Sequence, residues 1–114
     1  MDMIDRLLRL AETAGLAGIE RGLSYDTPSL HVRGKFLARE KDADTLVIRC
    51  PREEKTMLME AEPKFYFETE HYRGYDALLV RMAKIDDARL TARLENAWLM
   101  QAGKRAVAAF KNKS

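Results

Sequence analysis

Residues 29–40, SLHVRGKFLARE, constrain the fold more than any other stretch. Leu30 and Val32 alternate with His31 and Arg33. Gly34 and Lys35 interrupt, and the alternation resumes with Phe36 and Ala38 opposite Leu37 and Arg39. Alternation with period two marks a half-buried strand, and two such runs joined by a short Gly-containing break fold back on each other. A hairpin is an antiparallel unit with one apolar face. The chain is thereby committed to an antiparallel sheet whose dry face other elements must cover.

The remaining segments supply strands and covers. KDAD (41–44) reads as a turn, and TLVIRC (45–50) as a third strand with Leu46, Ile48 and Cys50 on one face and Val47 and Arg49 on the other. Pro51 opens a helix with Glu53 and Glu54 in its first turn, where acids suit the helix dipole. Met57, Leu58 and Ala61 form its expected apolar stripe, and Pro63 follows its end. KFYFETE (64–70) reads as a fourth strand. ALLVRMA (77–83), almost continuously apolar, reads as a fifth, interior one. Residues 3–14 form an amphipathic helix capped by Asp2 and stopped by Gly15. Gly15, Gly18, Gly22 and Pro28 make 15–28 a loop. A last long helix, capped by Asp86 or Asp87, carries Leu90, Leu94, Ala97 and Trp98 on one stripe. Gly103 breaks it, and KRAVAAFKNKS adds a short helix with Val107 and Phe110 inward, then a frayed basic tail. The expected fold is α+β: one domain over 1–114, in the order α-βββ-α-ββ-α. A single antiparallel sheet of about five strands carries helices packed on one face, because each helix has one stripe to bury.

Composition excludes several classes. With 114 residues, 46% of them hydrophobic and 33% charged, the chain supports one core and a well-covered surface. Cys50 is the single cysteine, so no disulfide can form within the chain. The simplest expectation is a reducing, cytoplasmic setting, with no membrane contact and a monomer or weak dimer. The N-terminal MDMIDRLLRLAE has acids and no long apolar core, unlike a signal peptide. The formal charge is +2, with a pI near 8.8. That balance does not announce a nucleic-acid binder, so the distribution of charge has to decide.

Candidate chemistry is sparse. Two histidines, His31 and His71, and the hydroxyls of Ser24 and Ser29 form no recognisable nucleophile motif. One Cys and two scattered His give no metal spacing, and the glycines give no phosphate loop. No catalytic residue, metal ligand or cofactor is expected. Cys50, just before Pro51, is either a thiolate favoured by a helix start or a small buried apolar residue continuing the face of Leu46 and Ile48. The second is the better reading. The stretch His71-Tyr72-Arg73-Gly74-Tyr75 is first a turn that Gly74 makes possible, and second a mount for an exposed Arg between aromatic rings. Strand alternation points Arg33, Arg39 and Arg49 away from the apolar sheet face, with Lys35 at one hairpin tip and Arg73 at another. Acids concentrate on the middle and last helices, and Glu68 is expected to pair with a cross-strand Arg.

The stretches TPSLHVRGKFLARE, LVIRCPREEKTMLMEAEP, FYFETEHYRGYDALLVRM and ENAWLMQAGKRAVAAF resemble the MmcQ/YjbR family of small bacterial proteins. The resemblance runs from about Ser24 to Phe110. It rests on Thr27-Pro28, the Arg33-Gly34-Lys35 turn, Cys50-Pro51 before Glu54, His71-Tyr72-x-Gly74, and Trp98 before Lys104-Arg105. Asp26 and Gly103 depart from the family pattern, which more usually has Gly and Pro there. The resemblance implies an α+β fold similar to the frataxin-like (CyaY-like) architecture, DNA binding through wing-like hairpins, and no catalytic residues. Iron handling of the frataxin kind is not expected, because Arg6 and Arg9 offset Asp2, Asp5 and Glu12 on the first helix. The expected function is non-specific DNA binding through phosphate contacts from Arg33, Lys35, Arg49, His71, Tyr72 and Arg73, with Lys104, Arg105 and the tail lysines adding charge. The alternative is a protein-interaction or adaptor module with no nucleic-acid role.

Overall fold

The computed structural model describes residues 2–112; the last part of the expected basic tail, Lys113 and Ser114, lies outside them. Helix α1 (Met3–Ala14) leads into strands β1 (Ile19–Ser24), β2 (Thr27–Val32), β3 (Lys35–Glu40) and β4 (Thr45–Arg49). Then come α2 (Arg52–Ala61), a two-residue strand β5 (Tyr66–Phe67), a 3-10 turn (Glu70–Tyr72), β6 (Ala77–Arg81), α3 (Asp87–Gln101) and α4 (Lys104–Asn112). The strands form one open sheet in the order β1-β2-β3-β4-β6-β5, antiparallel throughout. The class is α+β, as expected. No helix among the described residues is long and apolar enough to cross a membrane.

The sheet has six strands, not five, because β1 lies in the stretch read as a loop. Its sequence IERGLS is a polar edge strand, and glycine weakens a strand signal. Gly22 has a packing reason: a Cβ there would meet His31 Nδ1 at 2.9 Å. Both tight hairpins use two-residue turns with positive φ at both positions, Tyr25 and Asp26 (54° and 61°) and Arg33 and Gly34 (55° and 74°). Such turns match the natural twist of a hairpin but favour Asn and Gly, so Tyr25 in the left-handed region is a strained choice.

A β-bulge corrects the expected alternation in β3. Leu30 pairs with Ala38 and His31 with Phe36, leaving Leu37 as the extra residue. Leu37 and Ala38 therefore both enter the main core, where Leu30, Val32, Leu46, Ile48, Leu78 and Val80 also lie. Helices α1 and α3 cover this face with Ile4, Leu7, Leu90, Leu94 and Trp98. Phe110 of α4 packs at 5.2 Å from the Trp98 ring, and with Val107 it lies against the core as expected. Arg6 of α1 clasps the end of the sheet: it donates to the carbonyls of Met82 (3.1 Å) and Ile85 (2.8 Å) and pairs with Asp87.

Candidate nucleic-acid interface

Among the described residues, no α-helix packs its apolar residues on the other face of the sheet. Cross-strand pairing lines up Ser29, Arg39, Val47, Leu79 and Phe67 across it, with Arg49 opposite Ala77 one step along. Val47, Ala77 and Leu79 are nonetheless buried. Tyr72, itself 7% exposed, folds down on them, with Phe36 and Phe67 at the sides. The near-continuous apolar run of β6 follows from this double burial, main core on one side and Tyr72 on the other.

The segment that brings Tyr72 there is the expected aromatic-basic turn, now a nine-residue connection (68–76) containing the 3-10 turn. Gly74 takes φ 83°, the left-handed value expected of a turn glycine. The anchor is Lys55 of α2, 3% exposed. Its Nζ donates to the carbonyls of Tyr72 (3.0 Å) and Tyr75 (2.9 Å) and lies 2.7 Å from Glu68 Oε1. Glu68 therefore pairs with Lys55 and not with a cross-strand Arg. Arg52 adds a bond to the Gly74 carbonyl (3.2 Å) and an ion pair with Asp76 (3.2 Å). On the sheet side, Arg39 Nη2 donates to the Tyr72 hydroxyl at 2.6 Å, so the buried phenol is satisfied.

Between this connection and the β1–β2 turn lies a groove of about 350 Å³. Tyr25 stands on one side, and His71 and Tyr75 on the other, over a floor of Phe36, Val47 and Ala77. Tyr25 and Tyr75 are 82% and 54% exposed. The Arg39 guanidinium lies 5.0 Å from the Tyr25 ring centre, in cation–π contact. Arg49 also lines the groove. It has no hydrogen-bond or ion-pair partner among the described residues, and its Nε is out of solvent.

The expected binding set is divided. Arg49, His71 and Tyr72 come together in the groove, joined by Arg39, Tyr25 and Tyr75, which were not in that set. Arg33 does not share this face. It reaches the helix side, where its Nη1 approaches the Ala102 carbonyl (3.4 Å) and it lines a separate cavity of about 440 Å³ with Lys104 and Arg105. The cause is its left-handed turn conformation, which takes it out of strand alternation. Lys35 pairs with Val32, a main-core residue, and so stands on the helix side as well. Arg73 is exposed and paired with Glu70 at 3.2 Å. The common basic face expected for Arg33, Arg39 and Arg49 is therefore split, with Arg39 and Arg49 on the open side. Among the described residues no three His, Cys, Asp or Glu side chains gather as a metal site would require.

Cys50 continues the inward face of Leu46 and Ile48 and is buried. Burial, reinforced by the nearby Glu54 carboxylate, pushes its thiol up to about 11 from an ordinary value of 9.0. That burial speaks against the helix-start thiolate and for the small buried apolar residue. Native protein should react with a thiol reagent far more slowly than denatured protein. The unfolded thiol ionises first as pH rises, so this group's contribution to stability is complete below pH 9 and declines toward pH 11. Urea titrations at several pH values, with Cys50→Ala as control, would show that decline vanish in the variant; rapid labelling of native protein would contradict the burial.

No family model matches the chain, and no solved structure matches it. Over 56 residues it is 48% identical to uncharacterized proteins of Mycobacterium bovis and of two strains of Mycobacterium tuberculosis. The match covers 49% of this chain and 43% of each relative, so the similar segment spans less than half of those proteins.

Proposed function

We propose that this chain is a nucleic-acid-binding module, not an enzyme, and that its principal contact surface is the groove on the open sheet face. The observation that carries the reading is Arg49, whose guanidinium has no hydrogen-bond or ion-pair partner among the described residues and which lines the groove beside exposed aromatic rings. Arginines in folded proteins usually satisfy their fork of donors, and one left free beside rings is suited to a phosphate. The resemblance to the MmcQ/YjbR family agrees with a nucleic-acid role, although hairpin wings would be its expected instruments. Arg33, Lys104 and Arg105 form a second basic cluster, which adds long-range attraction but faces elsewhere. An adaptor role would rest on Leu23 and Met57, exposed apolar residues on β1 and α2. Single exposed apolar side chains are ordinary on soluble domains and carry little weight.

A fluorescence-anisotropy titration at low salt, with labelled DNA and RNA oligomers, tests the reading. Binding of micromolar order is expected, as for other non-specific contacts (~10⁻⁴–10⁻⁶ M). Arg49→Glu should abolish it, whereas Arg33→Glu with Arg105→Glu should weaken it less. Absence of binding by the wild type at tens of micromolar would put the adaptor role first.

A further inference from the structure

No α-helix among the described residues lines the groove on the open sheet face. A major groove is read by an inserted helix or ribbon, and a duplex hides its base faces in the stack. What this face offers is concave. Its volume, about 350 Å³, sits at the small end of ligand pockets, which run ~300–1,000 Å³. Its two most exposed aromatic side chains, Tyr25 and Tyr75, line the same cavity.

Tyr25 is hard to explain as packing. It occupies the first position of a turn that Asn or Gly would fill without strain, at φ 54°, and its ring lies largely in water. Strained backbone at the rim of a cavity is a pointer to function. Arg39 holds the ring from one side through cation–π contact, which makes it an oriented surface. Across the groove Tyr75 contacts His71 at 5.7 Å and Tyr72 at 6.0 Å between ring centres, while its backbone is pinned by Lys55. Tyr72 is committed to the floor, its hydroxyl to Arg39. Asp76, also in the lining, has its charge met by Arg52. Arg49 remains as the uncommitted cation.

Resting on the nucleic-acid reading above, we infer that this groove accepts an unstacked nucleotide of a single strand, stacking its base on Tyr25 or Tyr75 and its phosphate on Arg49, and that duplex is a poor ligand. Stacking on an aromatic face tolerates any base, so little sequence preference is expected. One phosphate at Arg49 gives a log–log salt slope of about −0.7, shallow for a nucleic-acid binder.

The experiment is anisotropy at low salt with four labelled 15-mers: oligo-dT, oligo-rU, a mixed duplex, and an oligomer whose bases are replaced by abasic sites. The single strands should bind at least about tenfold more tightly than the duplex or the abasic chain, the scale of one lost stack. Preference for dT or rU in that result identifies the strand class, and either supports the inference. Tyr75→Ala should weaken single-strand binding about tenfold while Tyr75→Phe retains it, which separates ring stacking from folding. Lys84→Gln, an exposed lysine outside both the groove and the second basic cluster, should leave it unchanged. Equal binding of duplex or abasic chain would overturn the single-strand inference and leave the nucleic-acid reading standing. Absence of binding by all four would remove both.

Discussion

Lys55→Met is expected to destabilise the protein by about 3–5 kcal/mol, the usual consequence of removing one partner from a buried ion pair. The side chain is unlike an ordinary surface lysine. Its side chain is 4% exposed, and its ammonium meets two carbonyls and the carboxylate of Glu68, whose side chain is 23% exposed. Methionine keeps the aliphatic stem but leaves Glu68 without its counter-charge and the carbonyls of Tyr72 and Tyr75 without a donor. Much of the loss is thus the penalty of stranded polar groups, not the net worth of the pair. The double variant Lys55→Met with Glu68→Gln removes the stranded charge and should recover part of the stability. Urea denaturation with an unchanged slope reads the difference. Should Lys55→Met lose less than ~1 kcal/mol, the level of an ordinary substitution, the connection 68–76 is not anchored in this way.

Lys55 also shows what sequence patterns conceal. The expected inward stripe of α2 was Met57, Leu58 and Ala61, yet Met57 is 67% exposed. Ala61 is exposed too; the helix turns Glu54, Lys55, Leu58 and Met59 inward and Glu62 follows at its C-terminal end, a spacing as helical as the apolar one but written largely in charges. Glu54 meets Arg93 and Asn96 of α3, and Glu62 meets Arg89. Hydrophobic periodicity finds helices that bury oil, and it misplaces one held by ion pairs and hydrogen bonds. The bulge at Leu37 and the edge strand β1 escaped for related reasons. A bulge breaks the very alternation used to assign faces, and an edge strand needs few apolar residues. By contrast, the core stripe of α3, Gly74 in its turn and the inward face of Cys50 were legible, because burial and left-handed backbone each demand particular residue types. The groove was half legible. Arg49, His71 and Tyr72 could be named from charge and aromatic clustering. Tyr75 was legible as a ring beside Arg73 but stood outside the expected binding set, and Tyr25 enters only through the pairing of β1 with β2.

Trp98→Ala is expected to cost about 3–5 kcal/mol, a large share of the ~5–15 kcal/mol that holds a domain of this kind together. Trp98 is 1% exposed on the face that α3 turns to the sheet, and it joins two outlying segments to the core. Its ring meets Phe110 of α4, and its Nε1 donates to the Ala17 carbonyl at 2.8 Å, ahead of the edge strand. Truncation opens a cavity and removes that hydrogen bond together. Trp98→Phe separates the two effects. It retains most of the apolar contact and removes the donor, so its loss should approach the ~0.5–1.5 kcal/mol net contribution of one hydrogen bond, because the carbonyl of exposed Ala17 can turn to water. Chemical denaturation of the three proteins gives both numbers. If the alanine variant lost less than ~1 kcal/mol, Trp98 could not be the centre of the helix–sheet core. If the phenylalanine variant matched wild type, the Ala17 bond would contribute nothing, and the start of β1 would have to be held by the sheet alone.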